Sequence, residues 1–326
     1  MSIKPPFWHP SVSAGFLLDW DGVLAETKLD FSGVRERYYG GRKAMLLEEA
    51  DVLTPEDRKS LMKDLCDIEI AGAEKAVPVP GALELIEWLD SKKVPYCIVS
   101  RNCLESIELA AKNIGIKLPE HTWSRDNSEC VKPDPRMLIK AAGSIGVEPR
   151  DCVLVGDFIY DLQGARRAGI RAVLVEREEQ DWNLWSDVSY NKMTDLLESL
   201  KNPQPIAPWE YREIYAKRGD RWLNRAYELV LELPESTSPT LDCWLARAAA
   251  LAVGTISISC DSVLGPAEWK SNPSFSPSIM GHNLVSIAKK YLAPRFPMVR
   301  ITTEEEGLKA PKNSLDLMRF VERKIF

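Results

Sequence analysis

The sequence has few of the residues that build zinc sites or disulfide frameworks. Its three histidines are widely scattered, and its seven cysteines form no Cys-x-x-Cys pair. A zinc site is therefore not expected. Several cysteines lie in apolar runs, and an odd cysteine count without a secretory signal fits a reducing cytoplasm better than a set of disulfides. These features predict a cytoplasmic protein.

Long apolar runs and a strong net charge are also missing. The longest apolar stretch, LARAAALAVGTISIS at 245–259, is interrupted by Arg247 and is shorter than the roughly 20 residues that cross a bilayer. The formal net charge of −6 is modest, so it requires neither a nucleic-acid nor a membrane partner. A chain of 326 residues with 45% hydrophobic and 28% charged residues is expected to form about two globular domains.

Four short apolar runs recur along the first 200 residues. FLL precedes Asp19, YCIV precedes Ser100, CVLV precedes Gly156 and Asp157, and AVLV precedes Glu176. Such runs are typical of strands buried on both faces, and helical patterns lie between and after them, at 81–93, 133–146 and 193–200. The alternation predicts an α/β fold with a doubly wound parallel sheet. Because ligands bind beyond the carboxyl ends of such strands, Asp19, Ser100 and Asp157 are expected to meet at one edge.

An excursion interrupts this alternation after the first strand. Residues 26–77 are expected to form a small helical insert above the carboxyl edge, with helices near 33–50 and 55–75. Thr54 is placed to cap the second helix, and Pro55 suits its first position.

The pattern changes again after residue 201. We predict a first domain over 1–201, a proline-rich linker at 202–208 and a mainly helical C-terminal domain over 209–326. Helices are expected over 209–233, with a break near Gly219, over 239–256 and at the C-terminus, after a Pro/Ser-rich stretch at 262–281.

The segment at 209–230 interleaves aromatic and basic side chains, a composition that also occurs in single-strand nucleic-acid sites. An amphipathic helix that buries Trp222 and Tyr227 against its own domain explains the same residues. Residues 203–326 carry 16 Lys and Arg against 14 Asp and Glu, so no basic field supports the nucleic-acid interpretation.

The stretch GFLLDWDGVL places Asp19 and Asp21 one residue apart at a strand end. Two such carboxylates repel each other unless a cation, a proton or hydrogen-bond donors stabilise them. Asp19 is suited to be a nucleophile toward phosphorus, and Asp21 to protonate the leaving oxygen and later activate water. Gly22 allows a sharp turn that brings backbone N–H groups to phosphate oxygens.

Residues at the other strand ends supply the remaining chemistry. Ser100 and its neighbour Arg101 are candidate phosphate ligands, and Lys132 offsets the charge that develops on the phosphoryl group. Asp157 offers an oxygen ligand for Mg²⁺. Asp161, one turn into the following helix, is placed to hold Lys132 or a metal-bound water.

The ordered motifs DWDGVL, VSRN, VKPDP and VGDFIYD closely resemble those of the haloacid dehalogenase superfamily of aspartate-nucleophile phosphatases, of the phosphoglycolate-phosphatase-like type. The resemblance covers residues 13–201 and implies a Rossmann-like core. It implies Asp19 as nucleophile and Asp21 as general acid/base. It also implies Mg²⁺ held by Asp19, Asp157 and the main-chain carbonyl of Asp21, with Gly156 and Asp161 in support.

The resemblance also bears on the cap and the reaction. The insert at 26–77 resembles the family's cap after the first motif but is shorter than the usual four-helix form. Phe158 stands where many relatives carry Ser or Thr. Dehalogenases of the family lack the second aspartate, so Asp21 favours phosphoryl chemistry, and the insert has no recognisable counterpart of the phosphomutase cap.

These observations predict a Mg²⁺-dependent phosphatase that acts on a small phosphorylated metabolite. Two alternatives stay open: a polynucleotide 3'-phosphatase, and a non-catalytic phosphate-binding or scaffold protein with a partner-binding C-terminal domain. The aromatic C-terminal domain offers a surface for a homodimer. A further hypothesis is that residues 209–326 complete the substrate pocket. Four residues of the insert could contact the leaving group, but the sequence does not tell which way their side chains point: Arg35, Arg37, Tyr38 and Arg42.

Overall fold

The protein is described from a computed structural model. The described residues are 3–177, 181–233, 241–258, 263–266, 269, 277–292, 296, 298–303 and 305–325. The chain separates into two compact units, which we call the core unit (Ser13–Asn202) and the C-terminal unit (Met1–Val12 with Pro203–Phe326).

The N-terminal segment differs from the expected domain division, which placed it in the first domain. The structure groups the residues up to Val12 with the C-terminal unit. Trp8 and Ile206 exchange two backbone hydrogen bonds of 2.9 Å, so the segment pairs with the proline-rich stretch that was predicted to be a linker.

The core unit contains a parallel six-stranded sheet and a short antiparallel pair. Its strands are β1 (Gly15–Leu18), β2 (Ala25–Glu26), β3 (Val77–Pro78), β4 (Tyr96–Val99), β5 (Thr122–Trp123), β6 (Cys152–Gly156), β7 (Arg171–Val175) and β8 (Val188–Tyr190). The parallel sheet has the order β5-β4-β1-β6-β7-β8, and β2 pairs with β3 outside it. With β2 and β3 set aside, this is the doubly wound order 3-2-1-4-5-6 of a Rossmann-like fold.

The four predicted strands lie at the centre of this sheet. Every residue of β1, β6 and β7 is buried, which explains their continuous apolar runs. The sequence analysis did not find β5 and β8. These are edge strands of two and three half-buried residues, too short to show a hydrophobic period.

The α-helices in the described part of the core unit are α1 (Ser32–Tyr39), α2 (Pro55–Ala73), α3 (Ala82–Lys92), α4 (Leu104–Ile114), α5 (Pro135–Ser144), α6 (Ile159–Ala168) and α7 (Met193–Lys201). The helices predicted near 81–93, 133–146 and 193–200 correspond to α3, α5 and α7.

The insert lies between the paired strands β2 and β3, and we call residues 27–76 the cap. The predicted first helix, 33–50, is too long, because α1 ends at Gly40 in a left-handed conformation with φ +58°. A separate 3₁₀ helix follows at Glu48–Val52. Helix α2 begins as predicted, since the Thr54 side chain accepts the Asp57 N–H at 3.1 Å and Pro55 opens the helix.

The C-terminal unit contains a sheet that the sequence analysis did not predict. Its strands are β9 (Val230–Leu233), β10 (Thr255–Ile258), β11 (Arg300–Thr302) and β12 (Leu308–Lys309). They form a parallel sheet in the order β11-β10-β9-β12. The described helices are α8 (Arg212–Tyr227), α9 (Leu241–Ala250), α10 (Leu284–Ile287) and α11 (Leu317–Ile325).

Two of the predicted helices were therefore drawn too long. Residues 230–233 of the first form β9. The last two residues of the second, 255 and 256, begin the fully buried strand β10. Short buried strands next to apolar helices do not break the hydrophobic pattern, so periodicity alone did not separate them. The break predicted at Gly219 is present, with φ +69° inside α8. Most of the Pro/Ser-rich stretch at 262–281 lies outside the described residues.

Trp222 in α8 belongs to the core of the C-terminal unit. Its side chain is fully buried and its indole Nε1 donates to the Leu251 carbonyl at 3.0 Å. Tyr227 is half-buried against the same apolar cluster. The amphipathic-helix interpretation of this segment therefore holds for both side chains.

The described cysteines have free thiols, and Cys260 lies outside the described residues. None of the helices in the described part of the chain is long and apolar enough to cross a membrane.

Candidate active site

The site lies at the carboxyl edge of the parallel sheet, where the strand order reverses. Strands β1 and β6 are neighbours, and Leu18 is in register with Val155. Asp19 follows β1, Asp157 follows β6 and Ser100 follows β4 on the other side of β1. The topology therefore brings the three predicted strand-end residues to the crevice where doubly wound sheets bind ligands.

Asp19 and Lys132 form a buried ion pair at the centre of this edge. Nζ of Lys132 lies 2.6 Å from Oδ1 of Asp19, and Lys132 is only 1% exposed. The backbone N–H of Trp20 donates to the same Oδ1 at 2.7 Å. Burial and the nearby Asp161 raise the pKa of Asp19 well above its usual value, although Lys132 opposes the shift.

Lys132 also contacts Asp161, so its ammonium lies between two carboxylates. The distance from Nζ to Oδ1 of Asp161 is again 2.6 Å. Burial alone lowers the pKa of Lys132, but the attraction of Asp161 and Asp19 outweighs it and the net pKa is raised. Lys132 therefore remains positively charged inside the protein.

Asp161 is fixed by the start of α6. Its Oδ2 accepts the backbone N–H of Phe158 at 3.1 Å, which caps the first turn. A Cβ at Gly156 would lie 2.5 Å from Cγ of Asp161. The glycine that ends β6 is thus required for the close approach of this carboxylate.

Asp157 is held by an arginine that the sequence analysis missed. Nη2 of Arg177 lies 2.9 Å from Oδ2 of Asp157, and Nε of Arg177 donates to the Asp157 carbonyl at 3.2 Å. Arg177 lies just after β7. Because ligands bind beyond the carboxyl ends of parallel strands, its position in the sequence could have marked it as a candidate. Burial, with repulsion from Asp161 as the next cause, raises the pKa of Asp157 to about 7. Gly22 has φ +73°, and a Cβ there would overlap the Asp157 carboxylate.

Asp21 has a different environment from Asp19. Its two carboxylate oxygens accept hydrogen bonds from the Thr27 hydroxyl and the Asn102 amide. Burial raises its pKa to about 6, and these two hydrogen bonds oppose the shift. Thr27 and Asn102 were not predicted. Asn102 lies two residues after Ser100 in the VSRN motif, whereas nothing in the local sequence marks Thr27.

Ser100 and Arg101 are adjacent in sequence but have different partners. Ser100 is 1% exposed at the end of β4, and its N–H donates to the Trp123 carbonyl at 2.8 Å. The Arg101 guanidinium pairs with Glu48 of the cap at 2.5 Å and donates to the Lys132 carbonyl. It also lies over the ring of Tyr160, 4.5 Å from its centroid. The charge of Arg101 is thus used to join the cap to the sheet edge.

The carboxylates at this edge fit a divalent cation. Ligand oxygens of Asp19, Asp157 and Asp161 lie within 4.8 Å of one another. The raised pKa values of Asp19 and Asp157 show that buried negative charge is undercompensated there. Mg²⁺ prefers oxygen ligands of this kind. The Asp21 carboxylate is not in this cluster. The resemblance implies that Asp21 binds Mg²⁺ through its main-chain carbonyl instead.

A cavity of about 810 Å³ opens onto these residues. Asp19, Asp21, Ser100 and Asp157 line it at the sheet edge. The cap lines it with apolar side chains: Leu29, Phe31, Leu46, Leu47 and Leu65. The arrangement offers a buried carboxylate nucleophile, a second carboxylate of raised pKa and a buried ammonium beside a space that holds a small molecule.

Comparisons with known proteins show which family the core unit resembles. Residues 14–169 match the family model for haloacid dehalogenase-like hydrolases. A haloacid dehalogenase-like hydrolase domain-containing protein of Arabidopsis thaliana is 25% identical over 174 residues, which cover 50% of this chain and 70% of the relative. Phosphoglycolate phosphatase of Caulobacter vibrioides is 26% identical over 216 residues, which cover 58% and 91%.

A solved structure of a hydrolase from Pseudomonas syringae aligns with a TM-score of 0.49 at 22% identity, covering 58% of this chain and 99% of its own. The family match identifies residues 14–169 as a haloacid dehalogenase-like hydrolase domain. Residues 209–326 lie outside the matched range.

Proposed function

We propose that this protein is a Mg²⁺-dependent phosphatase that hydrolyses a small phosphomonoester through an aspartyl-phosphate on Asp19. The observation that carries the proposal is the environment of the two aspartates. Asp19 is paired with the buried ammonium of Lys132 at 2.6 Å, whereas Asp21 has a pKa of about 6. One is suited to attack phosphorus and the other to exchange a proton near neutral pH.

In the first step, a carboxylate oxygen of Asp19 forms a bond to phosphorus and the bond from phosphorus to the leaving oxygen breaks. Oδ1 of Asp19 already accepts from Lys132 and from the Trp20 N–H, so we assign the attack to Oδ2. Protonated Asp21 gives its proton to the leaving oxygen, which departs as an alcohol. Lys132 and the Ser100 hydroxyl stabilise the charge on the phosphoryl oxygens.

In the second step, Asp21 is a carboxylate and accepts a proton from water. The water oxygen bonds to phosphorus, and the bond from phosphorus to Asp19 breaks. The products are inorganic phosphate and the regenerated carboxylate of Asp19, with Asp21 protonated for the next cycle. Thr27 and Asn102 hold the Asp21 carboxylate throughout.

A Mg²⁺ ion held by Asp19, Asp157 and the Asp21 carbonyl supplies positive charge that reduces repulsion between substrate and carboxylates. The relatives of this chain support phosphate chemistry, since they include a phosphoglycolate phosphatase and a pyrophosphatase. A carbon–halogen hydrolase has no need of a proton donor such as Asp21.

The proposal is tested by phosphate release from a panel of phosphorylated metabolites and a 3'-phosphorylated oligonucleotide. Each is assayed with Mg²⁺ and with EDTA, for the wild type and for Asp19→Asn. We expect turnover that requires Mg²⁺ and is lost in the variant. A best rate on the oligonucleotide would support the polynucleotide phosphatase instead. No release from any compound by folded protein would favour the non-catalytic alternative.

A further inference from the structure

The cationic side chains that line the cavity differ in whether a carboxylate lies close enough to form an ion pair. Most of them are paired with a carboxylate within 4.0 Å: Arg101 with Glu48, Arg125 with Glu69, Arg177 with Asp157, Lys192 with Glu176 and Lys28 with Glu26. Arg35 of α1 lines the same cavity, and no carboxylate in the described ranges lies that close to its guanidinium.

Arg35 is also incompletely hydrogen-bonded. Its Nε is shielded from solvent, and no acceptor among the described residues receives its N–H. A buried donor without an acceptor costs free energy, and the cost is larger for a charged group. Among the cavity cations, the Arg35 guanidinium is therefore the one left without a carboxylate partner in the described part of the chain, and it can accept an external anion.

The position of Arg35 connects the cap with the sheet edge. Burial raises the pKa of the Tyr160 hydroxyl, and the charges of Arg101 and Arg35 oppose that shift. Tyr160 lies in the first turn of α6, one residue before Asp161, and lines the same cavity. Arg35 of the cap and Tyr160 of the sheet edge thus line one cavity.

The neighbouring cap arginines, by contrast, each have a carboxylate partner. Nη1 of Arg37 lies 2.7 Å from Asp64, which also accepts from the Tyr38 hydroxyl. Arg42 pairs with Glu49 at 2.6 Å. The sequence left open which of the four cap residues contacts the leaving group, and the structure singles out Arg35.

We propose that Arg35 determines substrate specificity by binding a second anionic group, a carboxylate or a second phosphate, on the leaving group of the phosphomonoester. This inference rests on the proposed function. In this proposal the phosphoryl group binds at Asp19 and the second anion at Arg35, and the carbon skeleton occupies the cavity that Leu29, Phe31 and Leu47 also line. A guanidinium suits both anions because its N–H groups match the geometry of paired oxygens.

The first test measures kcat/KM for two pairs of substrates. 3-Phosphoglycerate and glycerol 3-phosphate differ by a carboxylate in place of a hydroxymethyl group. Fructose 1,6-bisphosphate and fructose 6-phosphate differ by the second phosphate. We expect the wild type to prefer the more anionic member of at least one pair by about tenfold or more. The pair that shows the preference identifies the anion.

Three variants connect that preference to Arg35. Arg35→Met is expected to abolish it, and Arg35→Lys to retain part of it because the charge is kept. Arg37→Met lies on the same helix and removes a cation that already has a partner, so the preference should be unchanged. No preference in the wild type for either pair, or a preference that survives in Arg35→Met, would overturn the inference.

A binding experiment separates this inference from the proposed function. Calorimetric titration of Asp19→Asn with the same four compounds, with and without the added Arg35→Met substitution, needs no turnover. Arg35-dependent selectivity in binding without hydrolysis by the wild type would retain the inference and reject the phosphatase. Hydrolysis without selectivity, or no binding of any of the four, would reject the role of Arg35.

Discussion

Lys132 Nζ lies 2.6 Å from Oδ1 of Asp161, the same distance that separates it from Asp19. Asp161 is itself fixed by the Phe158 N–H at the start of α6. The carboxylate thus connects the helix geometry to the ammonium that faces the nucleophile. We assign Asp161 the part of a positioning residue, since it acts on the reaction through Lys132.

Replacing Asp161 by Asn keeps the shape and the helix cap but removes the charge that holds Lys132. We expect kcat/KM for the best substrate to fall about 10- to 100-fold, as for other partners of active-site ligands. Asp195→Asn is a matched control, because Asp195 accepts the N-cap N–H of α7 at 3.1 Å in the same way and lies on an exposed helix start. Equal effects of the two variants would show that Asp161 matters only as a helix cap.

Asp21→Asn should separate the two half-reactions. With 4-nitrophenyl phosphate, whose leaving group needs little protonation, Asp19 can still be phosphorylated. Hydrolysis of the aspartyl-phosphate lacks its base and should slow about 10²- to 10⁴-fold. We expect a burst of nitrophenol close to one equivalent of enzyme, measured by stopped-flow absorbance. Steady turnover at the wild-type rate without a burst would contradict the acid/base assignment.

Asp187 is the centre of a buried ion-pair network in the core unit. Its carboxylate lies 2.9 Å from Arg166 and 3.0 Å from Arg171, and it accepts the Ala172 N–H at 2.8 Å. Asp187→Ala leaves two arginines without this partner, so the free energy of unfolding should fall by about 3–5 kcal/mol. It is measured by denaturant unfolding.

The control for Asp187 is Asp51→Ala, which removes an exposed ion pair with Arg58 at 2.6 Å. Its effect should stay below about 1 kcal/mol. Similar losses of stability in both variants would contradict the claim that the buried ion pairs of Asp187 stabilise the protein more than the exposed pair of Asp51.

His9 gives a pH-dependent prediction for the C-terminal unit. Burial lowers its pKa from 6.5 to about 4, and its Nδ1 accepts the Ser11 N–H at 3.1 Å. The folded state therefore keeps His9 neutral at pH values where the unfolded chain binds a proton. This contribution is complete above about pH 6.5 and is lost as the pH falls toward 4.

The stability difference between wild type and His9→Gln should accordingly shrink between pH 7.5 and pH 5. Denaturant unfolding at both pH values measures it, with His121→Gln as the control. A difference that does not change with pH would contradict a neutral His9.

The central part of the fold and much of the site could be predicted from the sequence because both depend on local patterns. The four central strands appear as apolar runs, and Asp19, Ser100 and Asp157 directly follow three of them. Strand ends in a parallel sheet meet at one edge whatever the loops between them do. Edge strands such as β5 and the sheet of the C-terminal unit are too short to leave such a signal.

The contacts that tune the site could not be predicted in this way. Asn102 donates to Asp21 across 81 residues of sequence, and Arg101 pairs with Glu48 across 53. Such pairs depend on how the cap packs, which periodicity does not encode. That no described carboxylate pairs with Arg35 is a finding of the same kind, because it depends on how the cap packs against the sheet edge.

The central claim is that phosphate passes through a covalent bond to Asp19. The most direct test is acid quenching during turnover of 4-nitrophenyl phosphate by Asp21→Asn with Mg²⁺, followed by peptide mass spectrometry. We predict one added phosphoryl group on the peptide that contains Asp19, and none when EDTA replaces Mg²⁺ or when Asp19→Asn is also present. Substrate cleavage with no phosphoryl group on that peptide, or a group on another residue, would contradict the account.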